Sequence, residues 1–234
     1  MGKIKINKKI IIPIILFIIL VLTIIVIFLL KNDNKISNSV NNIGNKSLEE
    51  IEKYILNISS YNAELEVTVE SNKNTNKYLL EQQYSANSFK QVVREPSNIE
   101  GLEIIYENNN LKINNTKLNL SNIYENYNYI AGNFLSLDSF IEDYKKEKES
   151  QSKNYAIKSE NNYVIMEVKP SNGNKYTSYK KIYIDRNTGN IAKLVIQDIN
   201  KKNLVYILYN KIEINTLSKE EVLAFSLKPL EQDI

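Results

Sequence analysis

The sequence predicts an α+β protein: a large, curved antiparallel sheet of about ten strands, a half-barrel with helices on its concave face, behind an N-terminal transmembrane helix. Three observations lead there. Residues 10–30 form an unbroken apolar run without a single charge. From Tyr61 onward, apolar side chains recur at every second position in short runs separated by Asn-, Ser- and Gly-containing turns. Only two stretches switch to helical spacing, and no strand–helix–strand alternation appears, which excludes a parallel, doubly wound sheet.

The apolar run contains Pro13 and Thr23 and otherwise only hydrophobic residues. At ~1.5 Å per residue it matches the thickness of a bilayer's hydrocarbon core. Pro13 falls in the first turn, where its missing N–H costs little. Lys3, Lys5, Lys8 and Lys9 precede the run, whereas Asp33 sits between Lys31 and Lys35 behind it. That lysine asymmetry predicts a cytoplasmic N-terminus and a chain outside the membrane from about residue 31. A cleaved signal peptide needs a shorter apolar core and a small-x-small site, neither of which residues 26–34 offer. A lipid-modified terminus needs a cysteine, and the chain has none. The expected organisation is a basic cytoplasmic tail (1–9), an anchor (10–30), a flexible tether (31–46) and one extracytoplasmic domain (47–234) of a single-pass cell-membrane protein.

Composition narrows the chemistry. The chain of 234 residues carries a net charge of +3, and its four leading lysines account for more than that excess. The exported part is therefore close to neutral and lacks the basic footprint of a nucleic-acid binder. Without His or Cys there is no Ser-His-Asp triad, no thiol nucleophile and no His or thiolate zinc site. No disulfide braces the domain, so its core must hold it.

Ser47 and Glu50 form a capping-box pattern ahead of Leu48, Ile51, Ile55 and Ile58, which predicts a helix over residues 48–59. Glu49, Glu50 and Glu52 read as its solvated face. Tyr61, Ala63, Leu65, Val67 and Val69 alternate with polar residues, giving a strand over 61–70. Strands over 78–84, 89–94, 102–107 and 111–113 complete a meander, with Glu95-Pro96 closing the third and an Asn108-Asn109-Asn110 turn joining the last two. Leu118 and Leu120 extend the sheet or lead into an Asn-rich segment bearing Tyr124, Tyr127 and Tyr129. Phe134, Leu137, Phe140, Ile141 and Tyr144 predict a second helix over 133–148, with Asp138, Glu142 and Asp143 on its surface. Strands follow over 154–159, 163–169, 179–185, 190–198 and 203–214, and Ser218 with Glu221 marks a short terminal helix or turn. Asp185, Asn187 and Gly189 faintly resemble a calcium loop, but Ile196 stands where the bidentate Glu belongs, so the stretch reads as a hairpin turn.

This order of elements resembles the lipoprotein-carrier (LolA-like) superfamily, which includes envelope sensors and GerS-type spore germination lipoproteins. Ser88-Phe89-Lys90 with Glu95-Pro96 resembles the family's Phe-Arg…Pro segment, with Lys90 in place of the usual Arg. Glu100-Gly101-Leu102 through Ile105-Tyr106 resembles its Asp-Gly…Tyr strand pair. Tyr183-Ile184-Asp185 with Thr188-Gly189, and Phe225 with Pro229, resemble its later hairpin and its end. The resemblance implies a non-catalytic binding protein without a cofactor. A curled sheet would hold an acyl chain, a lipoprotein or a hydrophobic partner segment, at ~0.8 kcal/mol for each buried methylene.

The expected lining is Leu65, Val67, Val93, Ile104, Tyr106, Leu194, Ile196, Tyr206 and Leu208. Tyr124, Tyr127 and Tyr129 are the expected gate: apolar rings with polar tips, between two meanders. The alternative is a regulatory envelope, sporulation or germination protein that binds a protein partner through its surface or a strand edge, with no small ligand. An enzyme would have to use carboxylate, Ser-Lys or Tyr chemistry, and no pair of acids stands out.

Overall fold

A computed structural model describes residues 46–85, 88–115, 117–127 and 135–217. The apolar run, almost all of the tether, Tyr129 and the stretch from Ser218 onward lie outside the described residues. Among the described residues no helix is long and apolar enough to cross a membrane.

The first helix, α1, spans Leu48–Leu56. Its capping box is formed as the sequence predicts: Ser47 N–H donates to Glu50 Oε2 (2.8 Å) and Glu50 N–H to Ser47 Oγ (3.2 Å). The Ser47 N–H first, and then the Ser47 hydroxyl, hold the Glu50 carboxyl below its ordinary pKa. Six strands follow: β1 (Ser60–Glu70), β2 (Thr75–Ser85), β3 (Ser88–Glu95), β4 (Leu102–Glu107), β5 (Asn110–Asn115) and β6 (Leu120–Tyr124). After helix α2 (Leu137–Glu149) come β7 (Tyr155–Glu160), β8 (Tyr163–Val168), β9 (Tyr179–Asp185), β10 (Ile191–Gln197) and β11 (Asn203–Ile214).

The eleven strands form one curved, open antiparallel sheet, ordered β6-β5-β4-β3-β2-β1-β11-β10-β9-β8-β7. Each half is a meander, and the long first and last strands, β1 and β11, pair at the centre. The margins β6 and β7 are far apart in this order. Positive φ at Asn108 (49°) and Asn109 (61°) makes the tight β4–β5 turn. The β9–β10 turn is an Asx turn: Asp185 Oδ1 accepts from the N–H groups of Asn187 (2.7 Å) and Thr188 (3.1 Å), and Gly189 takes φ 74°.

Helices α1 and α2 lie on one side of the sheet, here the inner face. Ile51 and Ile55 of α1 and Leu137, Phe140, Ile141 and Tyr144 of α2 join Leu65, Val67, Met166, Ile182, Leu194, Ile196 and Ile207 in one apolar core.

Three sequence expectations change here. Among the described residues the sheet has eleven strands, because residues 120–124 pair with β5 throughout. The second helix begins at Leu137, with Ser136 at the N-cap position in extended conformation and without a side-chain capping bond, so it is shorter at its start than its apolar spacing suggests. And three acids expected at the surface, Glu52, Asp138 and Asp143, are buried. Each has a polar partner reaching across the interior. Tyr61 Oη donates to Asp138 Oδ1 (2.7 Å) and Tyr144 Oη to Glu52 Oε1 (2.7 Å). Lys148 also reaches Glu52. The Lys180 ammonium, on the inner face of β9, lies 2.7 Å from Asp143 Oδ2 and donates to Ser139 Oγ at 2.9 Å. Buried charges persist only with such partners. These contacts fix α2 over β1 and β9, and also tie it to α1.

Candidate functional site

The register places the expected lining residues. Leu65, Val67, Val93, Leu194 and Ile196 belong to the core beneath the helices. Ile104 and Tyr106 belong to a second, smaller cluster on the inner face of the first meander, where Tyr106 packs with Phe89 and Leu111, and Tyr84, Ile104, Ile113 and Tyr127 border it. Tyr206 and Leu208 do not share that face. Leu194 pairs with Ile207, so Val205, Ile207 and Tyr209 point inward and Tyr206 and Leu208 outward, with Leu208 at 41% exposure. The cause lies in the sequence: residues 204–209 are all apolar, and a run without alternation does not show its inner face.

Two of the three tyrosines expected as a gate stand on the inner side beside the second cluster, Tyr124 through its pairing with Leu111 and Tyr127 against the cluster itself. Tyr124 ends β6. Tyr127 packs against the second cluster, and its N–H donates to Asn109 O at 2.7 Å. Tyr129 lies outside the described residues.

The most distinctive surface is the β6 margin. All five of its residues are exposed. Leu118 (66%), Leu120 (46%), Ile123 (60%) and Tyr124 (49%) bring four large apolar side chains to this one margin. Pairing with Leu111 and Asn115 puts Tyr124 and Leu120 on the inner face, and pairing with Lys112 puts Ile123 on the outer. Both faces of β6 thus present apolar side chains, beside Asn122 on the inner and Ser121 on the outer, and among the described residues β5 is its only strand neighbour. Ser121 Oγ donates to Asn114 Oδ1 (2.8 Å), and Lys117 pairs with Glu100 (2.6 Å). These contacts hold β6 and the turn before it in place. Sequence reasoning missed Ile123 as a surface residue because Leu120, Ile123 and Tyr124 break strict alternation, which blurs a strand that is apolar on both faces.

The buried acids serve the helices. Glu147, at the end of α2, accepts from Ser152 Oγ (2.7 Å), Asn154 Nδ2 (3.0 Å) and Ser171 N–H (2.7 Å). Burial alone would raise its pKa, and these donors outweigh that, holding it below the usual carboxylate range. Glu142 reaches the surface yet stands over a largely protein environment. Burial first, then the neighbouring charges of Asp138 and Asp143, push its pKa up to about 7.

No protein-family model matches this sequence, and no curated protein matches it. Solved structures do. The structure of the CwlD amidase from Clostridioides difficile in complex with the GerS lipoprotein is similar at 22% identity and TM-score 0.43, covering 70% of this chain and 92% of that one. A putative outer membrane lipoprotein-sorting protein domain from Vibrio parahaemolyticus is similar at 10% identity and TM-score 0.44, covering 80% and 100%. LolA superfamily protein NE2245 from Nitrosomonas europaea is similar at 8% identity and TM-score 0.38, covering 79% and 97%. At this level of likeness none of these structures assigns a ligand or a partner to this chain.

Proposed function

We propose that this protein is a non-catalytic, membrane-tethered extracytoplasmic binding protein that engages a protein partner along the β6 margin of its sheet. The observation that carries this reading is β6 itself: a strand bonded to β5, with apolar side chains exposed on both faces. A strand edge offers a row of main-chain donors and acceptors, and side chains on both faces add selectivity. An extended segment of another protein fits it by adding a strand. The tether is supported by the apolar run at residues 10–30 and its flanking lysines.

A second reading, an acyl chain or lipoprotein segment laid on the inner face, is favoured by one observation: Phe89, Tyr106 and Leu111 form an apolar cluster separate from the helix-filled core. Two measurements on the full-length chain separate the readings. A photoreactive residue at position 123, introduced in intact cells, should give a discrete protein adduct that Asn122→Pro abolishes. Solvent extraction of the purified chain, followed by mass spectrometry, should release no stoichiometric acyl lipid. Bound lipid without an adduct would overturn the strand-edge reading in favour of the second.

A further inference from the structure

At one end of the second meander, three connections converge: residues 150–154 before β7, 169–178 between β8 and β9, and 198–202 between β10 and β11. They are stitched together by backbone bonds. Lys169 N–H donates to Asn154 O (2.7 Å), Ser178 N–H to Gln197 O (2.9 Å) and Ile199 N–H to Lys175 O (3.1 Å). Between them lies a cavity of about 400 Å³, lined by Lys169, Ser171, Asn174, Lys175 and Ile199 among others. That volume suits a small ligand or a lipid headgroup.

The charge at this end is one-sided. Lys169, Lys175, Lys201 and Lys202 are exposed. None of the four is among the salt-bridged lysines of the described residues. Three of them lie against aromatic rings: Lys169 is 5.7 Å and Lys201 5.1 Å from the Tyr179 ring centre, and Lys175 is 4.8 Å from that of Tyr176. Two acids lie at this end and are held by local donors: buried Glu147 accepts from Ser171 and Asn154 of the cavity wall, and Asp198 Oδ1 accepts from the N–H groups of Asn200 and Lys202, both at 2.8 Å.

Beside these lysines two apolar side chains stand out into solvent, Tyr176 at 59% and Ile199 at 61% exposure. The turn that presents Tyr176 is tightly made. Asn174 Oδ1 accepts from Tyr176 N–H (2.8 Å) and Thr177 N–H (3.1 Å), and a Cβ at Gly173 would come within 3.0 Å of Thr177 O and 3.1 Å of Pro170 O.

We infer that this end of the domain docks on an anionic phospholipid surface, with a headgroup phosphate in the lysine-lined cavity and Tyr176 and Ile199 inserted at the interface. Clustered lysines supply attraction to anionic lipid, and an aromatic and an aliphatic side chain beside them supply the shallow apolar contact an interface rewards. A soluble anion needs only the cavity and gives no role to Tyr176 and Ile199. The inference does not involve β6 and stands apart from the proposed strand-edge function.

The chain has no Trp, so Tyr176→Trp makes a unique fluorophore at the contact. Full-length Tyr176→Trp is reconstituted into vesicles of phosphatidylcholine alone or with phosphatidylglycerol. The expected result is a blue shift and quenching by brominated lipid only with phosphatidylglycerol, reversed by salt. Each Lys→Gln change at 169, 175 or 201 should lower the docked-to-free ratio roughly fivefold. Ile199→Ser should reduce the quenching while leaving the circular dichroism unchanged. Equal emission in both vesicle types would overturn the inference. So would an equal blue shift produced by inorganic phosphate or a soluble glycerol-phosphate polymer in phosphatidylcholine vesicles, which would assign the cavity to a free anion.

Discussion

Beneath α1 and α2, the strands from β8 to β11 and on to β1 bury their inner-face side chains almost completely, and they bury ionised groups with them. At the other end of the sheet, β3 to β6 hold a three-residue cluster and finish in a strand with every residue exposed. One continuous sheet therefore has a half fixed by helices and a margin left available. The fixed half draws its specificity from paired polar groups such as Lys180 with Asp143 and Tyr144 with Glu52. The available margin has apolar side chains with nothing of comparable cost beneath them. Stability and binding are in this way assigned to different strands, and a change at β6 alters contacts without reaching the core.

The sharpest way to break this division is to strand a charge in the fixed half. Asp143→Ala leaves the Lys180 ammonium, 1% exposed, without its carboxylate. Chemical denaturation should show a loss of about 3–5 kcal/mol. Tyr144→Phe removes the hydroxyl that donates to Glu52 and keeps the ring in the core. The same measurement should show a loss of about 1.5–3 kcal/mol.

Glu142 sharpens the comparison through pH. Its carboxyl titrates at about 7 in the fold against 4.5 ordinarily. The folded state therefore holds a proton that the unfolded state has released, and stability declines as pH rises from 4.5 through 7. Glu142→Gln should raise the melting temperature over the parent at pH 8 and leave it unchanged at pH 4. A gain of equal size at both pH values would show that the carboxylate's charge is not the cause. The smallest effect belongs to the margin. Leu120→Lys, at a residue 46% exposed, should change stability by no more than about 0.5 kcal/mol, yet remove the protein adduct formed from the photoreactive residue at position 123.

Much of the fold was legible because its signals are local. The Ser47–Glu50 box and the period-2 run of β1 carry their own geometry, and β4, β9 and β11 begin and end where the sequence places them. What was not legible depends on partners distant in sequence. Asp138 and Asp143 have helical neighbours typical of a wet surface, and partners such as Tyr61 and Lys180, on β1 and β9, turn them into interior groups. The inner face of residues 204–209 is set by pairing with β10, not by their own uniformly apolar pattern. The candidate site was hidden for a similar reason: β6 puts apolar side chains on both faces around Ser121 and Asn122, so it lacks the alternation by which half-buried strands are recognised. The lysine-rich end is assembled from three separate connections, none of which is distinctive alone.

The division of the sheet is tested most directly by amide hydrogen exchange on the purified full-length chain, resolved strand by strand. Exchange through local opening follows the packing that holds each strand. The amides of β1, β10 and β11 should open only with global unfolding, while those of β6 should exchange orders of magnitude faster through local release from β5. Equal protection at β6 and β10 would contradict the account, because the margin would then be as firmly held as the strands beneath the helices.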